Sequence, residues 1–382
     1  MTASAAEPMP VGGTRFYCVL RELVGGVADV AMLLPMLAGL VAAGGVSGSA
    51  SLVAVGATYI VAAIYFRVPM PVQPLKALAA LALTADATSA ELRLAALAFG
   101  VALALVATTS LRRRLETVPI VVVHATQFGL AALLLSKAAG AAGAVHPFAP
   151  IGLGVAVVGL VFLQARRDWP MLGVVALGSL AWWAFAQAGN PSEPAVREAV
   201  PPRLGLVLTM VASQLPLTLA NSVVATRAAA EQYFGAARAS RVTLSGLLGS
   251  ITFTSFLASA LGTLPTCHGA GGLTAHVKGG ARIGYGPAAY GGALIVLGLA
   301  TFGAPTRLEL PRLGVAVLLA LTGAHHVALT RASFANLRTA WPVVASGVVT
   351  LATDSLLAGV VAAIAALGMT RRGHEPAARG SR

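Results

Sequence analysis

The chain has 382 residues, of which 57% are hydrophobic and only 10% are charged, and its mean hydropathy is +0.82. Because soluble domains carry roughly 25% charged residues, this composition excludes an ordinary soluble domain and predicts an all-α polytopic membrane protein. The net charge of +13 does not indicate a nucleic-acid-binding protein, since the basic residues are spread over short loops instead of forming one face or tail.

The hydropathy pattern predicts about 14 transmembrane segments, about seven in each half of the chain. In the first half they span residues 24–43, 50–66, 70–85, 92–110, 118–136, 148–164 and 169–188. In the second half they span residues 204–230, 241–261, 266–281, 287–303, 312–330, 340–352 and 355–369. The predicted organisation is a cytoplasmic tail at 1–23, a first transmembrane repeat at 24–190, an external linker at 191–203, a second repeat at 204–369 and a cytoplasmic tail at 370–382.

The distribution of basic residues predicts the orientation of these segments. Of the 26 Lys and Arg residues, 19 fall on the side that carries both termini and six fall on the other side. Those six are Arg93, Lys137, Arg197, Arg203, Arg307 and Arg312. Since loops rich in Lys and Arg face the cytoplasm, both termini are expected to be cytoplasmic, in a cell (inner) membrane. An odd number of spans in each half makes the two halves inverted relative to each other, which is the plan of many secondary transporters.

The third predicted segment begins with three prolines, Pro69, Pro71 and Pro74. Each proline lacks an N–H and clashes with the preceding turn, so this stretch is not an ordinary helix. Broken backbone at membrane depth survives only where protein or water covers it. The helix that follows is therefore predicted to be a half-helix, whose N-terminal amides and positive dipole end point into the membrane. Lys76 adds a full positive charge there, which indicates function; the alternative is that its ammonium extends to a nearby interface.

The tenth predicted segment repeats this feature in the second half. Pro265 is followed by Gly269, Gly271 and Gly272, so the helix is again interrupted and backbone amides are freed. A glycine-rich turn before a helix binds anions through its amides. Paired interrupted segments at corresponding positions are the best sequence indication of a transporter's binding site. The two interruptions, in segments 3 and 10, are therefore the candidate location of a binding site.

Three stretches of the chain resemble a known family. Pro69–Ala77 reads Pro-Met-Pro-Val-Gln-Pro-Leu-Lys-Ala. Together with Gln214–Ser222 and Pro265–Gly272, it is similar to motifs of the molybdate transporter family, which is related to the sulfate permease (SulP) superfamily. The resemblance implies a seven-plus-seven inverted repeat with a core and a gate domain, and a substrate site between the third and tenth half-helices. Where the family often reads Gly-Asp-Leu-Gly-Thr, this chain reads Ala-Asp-Val-Ala at 28–31, which keeps the aspartate and loses the glycines.

The candidate substrate-binding residues are polar side chains and amides near the two interruptions. They are Gln73, Lys76, Gln214, Asn221, Thr266, His268 and Gly269. The N–H groups of Gln73 suit an oxyanion, although the same amide also suits capping of the broken backbone. Gln214 and Asn221 lie two helical turns apart on one face, where they line the site or bond a neighbouring helix. Thr266 and the Gly269 amide are oxyanion donors by the same geometry.

Asp29 and His268 are the candidates for proton coupling. A carboxylate within an apolar segment is costly unless it is paired or protonated, so Asp29 is expected to load and release a proton. The alternatives are a permanent pairing with Lys76 or a position nearer the water. His268 lies at the expected N-terminal end of the tenth half-helix. Its possible roles are a substrate ligand, a proton relay and a structural residue. The adjacent His325 and His326 also suit a metal or pH site, with a structural role preferred.

The leading hypothesis is a secondary active transporter of a tetrahedral oxyanion, with molybdate first and sulfate second. Proton symport with alternating access is expected, because an inside-negative potential opposes uptake of a dianion by about 2.3 kcal/mol per charge per 100 mV. The alternatives are a nucleobase or bicarbonate carrier of the same fold and an anion channel. No metalloprotease, nucleophile-elbow or nucleotide-binding motif is present, so no enzyme, cofactor or metal is expected. The expected partners are the oxyanion, protons and membrane lipid, with a homodimer left open.

Overall fold

The fold is described here from a computed structural model, in which residues 15–115, 117–143, 201–302 and 312–372 are described. The predicted segments 148–164 and 169–188 lie outside these ranges. The same holds for residues 1–14 and 373–382 of the predicted tails and for most of the predicted external linker.

The described part of the first half contains seven helices and one short strand. These are α1 (Arg15–Gly26), α2 (Val30–Ala42), α3 (Gly48–Phe66), β1 (Gln73–Pro74), α4 (Lys76–Thr84), α5 (Ser89–Thr108), α6 (Leu111–Leu115) and α7 (Ile120–Gly143). Residues 15–23, expected in the N-terminal tail, are helical and form most of α1. Asp29 lies at the break between α1 and α2, and the short α4 follows the proline-rich stretch 69–74.

The described part of the second half again contains a short helix that follows a two-residue strand. It contains α8 (Leu204–Leu217), a π-helical stretch (Thr218–Ala225), α9 (Thr226–Arg238), α10 (Leu244–Leu261), β2 (Thr266–Cys267), α11 (Ala270–Gly279) and α12 (Tyr285–Ala300). It continues with α13 (Arg312–Leu329), a 3-10 turn (Arg331–Ala335), α14 (Leu337–Thr353) and α15 (Leu356–Arg372). Like α4, α11 is short and begins soon after a two-residue strand.

Several helices are suited to a membrane by length and composition. Within the described residues, five are long and apolar enough to cross it, namely Gly48–Phe66, Ser89–Thr108, Ile120–Gly140, Leu204–Arg238 and Leu244–Leu261. The shorter apolar helices are Tyr285–Ala300, Leu319–Leu329 and Leu356–Met369. An apolar helix of about 20 residues matches the thickness of the hydrocarbon core, so the architecture is that of a multi-pass membrane protein.

The π-helical stretch makes α8 and α9 one long helix with a widened turn in the middle. Pro216 lies inside α8 and cannot donate the usual helical hydrogen bond. This missing bond gives a local cause for the widened turn that begins two residues later. Thr218, Asn221 and Ser222 of this stretch are all buried. The widened turn therefore carries polar side chains into the protein interior.

The helices form two groups, which contact each other through α2, α4, α8 and the π-helical stretch. The core group consists of α1–α5 and α8–α12, and the flanking group consists of α7 and α13–α15. Ala77 and Ala80 of α4 belong to the same buried cluster as Leu319, Ala320 and Ala324 of α13. Small side chains at a helix contact allow close approach, so the flanking group covers the beginning of α4.

Candidate functional site

A pair of two-residue strands joins the two interrupted segments. β1 and β2 are antiparallel, with Gln73 opposite Cys267 and Pro74 opposite Thr266. α4 follows β1 after one residue and α11 follows β2 after two. Because the strands run antiparallel, the two short helices leave the pair in opposite directions and keep their N-terminal ends close to it. The structure thus brings the two interrupted segments together.

A side chain of α8 caps the N-terminal end of α4. Gln214 Oε1 accepts hydrogen bonds from the amides of Ala77 and Leu78, over 2.9 and 3.1 Å. Gln214 Nε2 donates to Thr218 Oγ1 over 2.9 Å. Gln214, predicted to contact the substrate, therefore holds the amides that an anion would use at the end of α4.

At the N-terminal end of α11, the N-cap residue Gly269 has no side chain that could cap the helix. The first hydrogen bond of this helix runs from the Leu273 N–H to Gly269 O, over 3.2 Å. The amides of Ala270, Gly271 and Gly272 precede that bond. They carry the positive end of the helix dipole, so α11 offers amide donors for an anion next to the predicted position Gly269.

A buried chain of hydrogen bonds links Lys76 to Asp29. Lys76 Nζ donates to Gln73 Oε1 over 2.7 Å, and Gln73 Nε2 donates to Asp29 Oδ1 over 2.5 Å. Asp29 Oδ2 also accepts from the Tyr59 hydroxyl over 3.3 Å. All four residues are at most 3% exposed. Lys76 therefore does not extend to an interface, and the Gln73 amide separates its ammonium from the Asp29 carboxylate.

Two further predicted residues connect helices around the site. His268 Nδ1 donates to Pro71 O over 2.8 Å, and its Nε2 lies 2.8 Å from Ser250 Oγ. Since a carbonyl oxygen only accepts, the Nδ1 atom carries the proton. Asn221 Oδ1 accepts from Gln127 Nε2 of α7 over 3.0 Å. In this arrangement both residues hold segments together, and their roles as ligands, like proton transfer by His268, remain predictions.

Glycines at the start of α11 make room for the Gln73 side chain. A Cβ on Gly269 would collide with Gln73 Oε1 and would lie 3.1 Å from Asn221 Nδ2. A Cβ on Gly272 would collide with Gln73 Nε2. The missing side chains therefore let the Gln73 amide lie against the N-terminal turn of α11.

Thr266 is buried in β2, and its carbonyl accepts from the Thr254 hydroxyl over 3.3 Å.

Arginines bind the opposite, carbonyl ends of both short helices. Arg203 Nη2 donates to Ala85 O, just after α4, over 3.1 Å, and Arg203 Nε pairs with Glu91 over 2.7 Å. Arg282 Nη1 donates to Val277 O near the end of α11 over 2.6 Å. Positive groups at helix C-termini offset the negative ends of the dipoles. The negative ends of both helix dipoles are thereby offset, so the electrostatic effect of the two helices near the β1–β2 pair comes mainly from their positive N-terminal ends.

Two residues of this region, Tyr59 and Thr218, were missed by sequence reasoning, and a third, His325, was given a structural role. Tyr59 and Thr218 fix the side chains of Asp29 and Gln214. His325 of α13 lies against Gly271, where a Cβ would be 2.7 Å from the imidazole Nε2. In the sequence, each of these residues is recognisable as a polar side chain in an apolar helix. The sequence does not show which distant residue each one contacts.

A family model described as "Molybdate transporter of MFS superfamily" matches residues 21–134 and 206–325. These ranges cover more than half of the chain and include both interrupted segments. They also include Asp29, Lys76, Gln214 and His268.

Two curated plant and algal proteins are each similar to part of the chain. Molybdate transporter 1 of Chlamydomonas reinhardtii is 42% identical over 89 residues, which are 22% of this chain and 17% of that protein. Molybdate transporter 1 of Arabidopsis thaliana is 40% identical over 86 residues, which are 22% of this chain and 18% of that protein. Each match therefore covers less than a fifth of the relative's length.

Solved structures share the fold. The transmembrane domain of the cyanobacterium bicarbonate transporter BicA has a TM-score of 0.59 at 17% identity, over 92% of this chain and 98% of that one. SLC26A9 has a TM-score of 0.57 at 12% identity, over 92% of this chain and 65% of that one. These neighbours have the SulP/SLC26 fold, as the sequence resemblance implied. By its motifs, its fold and the family model, the chain belongs to the molybdate transporter family.

Proposed function

We propose that this protein is a secondary active transporter of a tetrahedral oxyanion, with molybdate as the first candidate and sulfate as the second. The observation that carries the proposal is the meeting of the N-terminal ends of α4 and α11 beside the buried ammonium of Lys76. The family description and the names of the curated relatives support molybdate as the substrate.

The electrostatics of this centre favour a doubly charged anion. Helix N-terminal amides donate hydrogen bonds and their dipoles attract negative charge. Lys76 adds a full charge in an interior shielded from water, where attraction between charges is stronger than at a surface. We assign anion contacts to Lys76 Nζ and to the amides of residues 270–272. Gln73 and Gln214 hold Lys76 and the start of α4 in place.

Alternating access would come from movement between the two groups of helices. Lys76 and the α11 amides belong to the core group, whereas Ala324 and His325 cover them from α13 of the flanking group. Displacing one group against the other would open the site to one side at a time, as in transporters built from inverted repeats. The antiparallel β1–β2 pair, with a short helix after each strand, supports the proposed seven-plus-seven repeat.

We assign proton coupling to Asp29. Its carboxylate and the Lys76 ammonium are joined through the Gln73 amide, so their charges offset each other in the empty protein. A proton on Asp29 would leave the positive charge of Lys76 available to the anion. Anion binding and proton binding would therefore strengthen each other by the same factor, since coupling between two sites is reciprocal.

The test of the proposed substrate is calorimetric titration of the purified protein with molybdate, sulfate and bicarbonate, and with chloride as a control anion. We expect molybdate to bind, sulfate to compete for the same site, and chloride to leave both titrations unchanged. Binding of bicarbonate without binding of either tetrahedral oxyanion would overturn the proposal in favour of a bicarbonate carrier.

Gly272→Ala is expected to displace the Gln73 amide from the start of α11 and to weaken molybdate binding. Overpacking of a closely packed site costs about 1–3 kcal/mol, which corresponds to about a 5- to 150-fold loss of affinity. Gly292→Ala is the matched control, because no atom lies within 4 Å of a Cβ added there. Equal affinities for Gly272→Ala and the parent would show that Gln73 does not organise the site.

Cysteine labelling tests the proposed orientation. Ser47 precedes α3 and bonds the turn after α10, whereas Ser240 lies before α10, so the two residues lie at opposite ends of that helix. Both are exposed. An impermeant thiol reagent added outside intact cells is expected to label Ser47→Cys and not Ser240→Cys, with the parent giving the background. The reverse pattern would place the termini outside.

A further inference from the structure

We propose that the adjacent His325 and His326 of α13, here called the histidine pair, bind a second coupling proton next to the anion position. The inference rests on the oxyanion transport proposed above, and it adds a titratable group from the flanking group of helices to a site otherwise built from the core group.

The position of His325 places an imidazole at the start of α11. A Cβ on Gly271 would lie 2.7 Å from His325 Nε2 and 3.6 Å from Cε1, so only glycine permits this approach. The ring therefore lies beside the amides assigned to the anion. An anion held there would contact amides of α11 on one side and the imidazole of α13 on the other.

The histidine pair has hydrogen-bonding atoms that no described residue satisfies. His326 is 0% exposed, and neither of its ring nitrogens has a hydrogen-bond partner within the described ranges. The same holds for Nε2 of His325. The two rings meet edge to face at 5.7 Å. Buried polar atoms without partners are costly and rare in folded proteins. An anion rich in acceptor oxygens would supply acceptors to those ring nitrogens that carry a proton.

The groups that face the histidine pair show where a compensating charge is missing. Lys76 of α4 lies within electrostatic range of both rings. Asp29, at the start of α2, reaches Lys76 only through an intervening amide.

His124 of α7 is bonded to the hydroxyl of Ser333, and His276 of α11 is bonded to a backbone carbonyl. Further charged residues on the packed elements are Lys137, Lys278 and Arg331. Close to the pair, a bound dianion would be the main negative charge.

A charge balance gives the number of protons. Asp29 and Lys76 offset each other, so a buried dianion requires two additional positive charges to form a neutral site. One is supplied when Asp29 is protonated. Two neighbouring imidazoles repel each other when both are charged, so the pair supplies the other charge as one shared proton. Transport would then carry about two protons with each dianion, and the affinity for the anion would rise by up to about 100-fold for each unit of falling pH.

The test is molybdate calorimetry in buffers of different ionisation enthalpy, which yields the number of protons taken up on binding. We expect about two protons for the parent and about one for the His325→Gln/His326→Gln variant between about pH 6 and 8. His124→Gln, the same substitution on a neighbouring helix, is expected to match the parent. A parent that binds no oxyanion would overturn the proposed function itself. A parent that binds molybdate, with unchanged proton uptake in the double variant, would overturn only the role of the histidine pair.

A second measurement tests the histidine pair even if the double variant does not bind molybdate. Isotope-labelled imidazole nitrogens of the parent report the charge of each ring by NMR, and the single variants assign the signals. Addition of molybdate is expected to add one proton in total to the two rings, so that their combined signals correspond to one imidazolium and one neutral imidazole. If both rings stay neutral in the molybdate-bound protein, the pair carries no coupling proton.

Discussion

Lys76→Met is expected to lower the affinity for molybdate by about 30- to 150-fold, because a close contact between an ammonium and an anion in a partly buried site contributes about 2–3 kcal/mol. Methionine keeps the apolar stem of the side chain and removes only the charge. Lys76→Arg is expected to recover part of the loss, since its larger planar group fits poorly against the Gln73 amide. Calorimetric titration with molybdate measures both variants.

Folding requires its own control in this experiment. Lys76→Met leaves the buried carboxylate of Asp29 without its cation, and a buried charge without a partner is destabilising. The double variant Lys76→Met/Asp29→Asn removes both charges, so it is expected to melt close to the parent and still to bind molybdate weakly. A folded Lys76→Met that binds molybdate and sulfate as tightly as the parent would remove Lys76 from the anion site.

Asp29→Asn is expected to abolish most of the proton-driven accumulation of molybdate and to leave some binding and exchange. Asparagine keeps the shape of the side chain but cannot take up the proton, so each dianion enters with one proton fewer. An inside-negative potential of about 100 mV then opposes uptake by about 2.3 kcal/mol, a factor of about 50 in the accumulation ratio. Uptake into proteoliposomes with imposed pH and voltage gradients measures this loss.

The matched control for this variant is Asp354→Asn. Asp354 is an exposed carboxylate that pairs with Lys137 over 2.5 Å between α7 and the α14–α15 turn. The same chemical change there is expected to leave accumulation unaltered. If Asp29→Asn still accumulates molybdate with the pH dependence of the parent, Asp29 does not couple transport to protons.

The two interruptions and a lysine at membrane depth, Lys76, could be predicted because they are local features of the sequence. Prolines at 69, 71 and 74 and the glycines after Pro265 break helices whatever surrounds them. A lysine within an apolar stretch indicates function for the same reason, since the cost of burying its charge does not depend on a particular partner. These features predict both interruptions, which the structure joins through the β1–β2 pair.

The hydrogen-bond partners could not be predicted in the same way. A carboxamide both donates and accepts, so the sequence leaves Gln73 and Gln214 equally suited to an anion or to the backbone. Gln214 caps an amide that lies 137 residues earlier in the chain, and no local pattern encodes such a contact. His325 was interpreted as structural because its proximity to Gly271 depends on how α13 packs against the core group.

The most direct test of the anion site is to locate molybdenum by anomalous X-ray scattering in crystals of the protein grown with molybdate. We expect one buried molybdenum position, with oxygens within hydrogen-bonding distance of Lys76 Nζ and of the amides of Ala270, Gly271 and Gly272 at the start of α11. Buried molybdenum at a different place, with these donors still bonded only to protein, would contradict the proposed site.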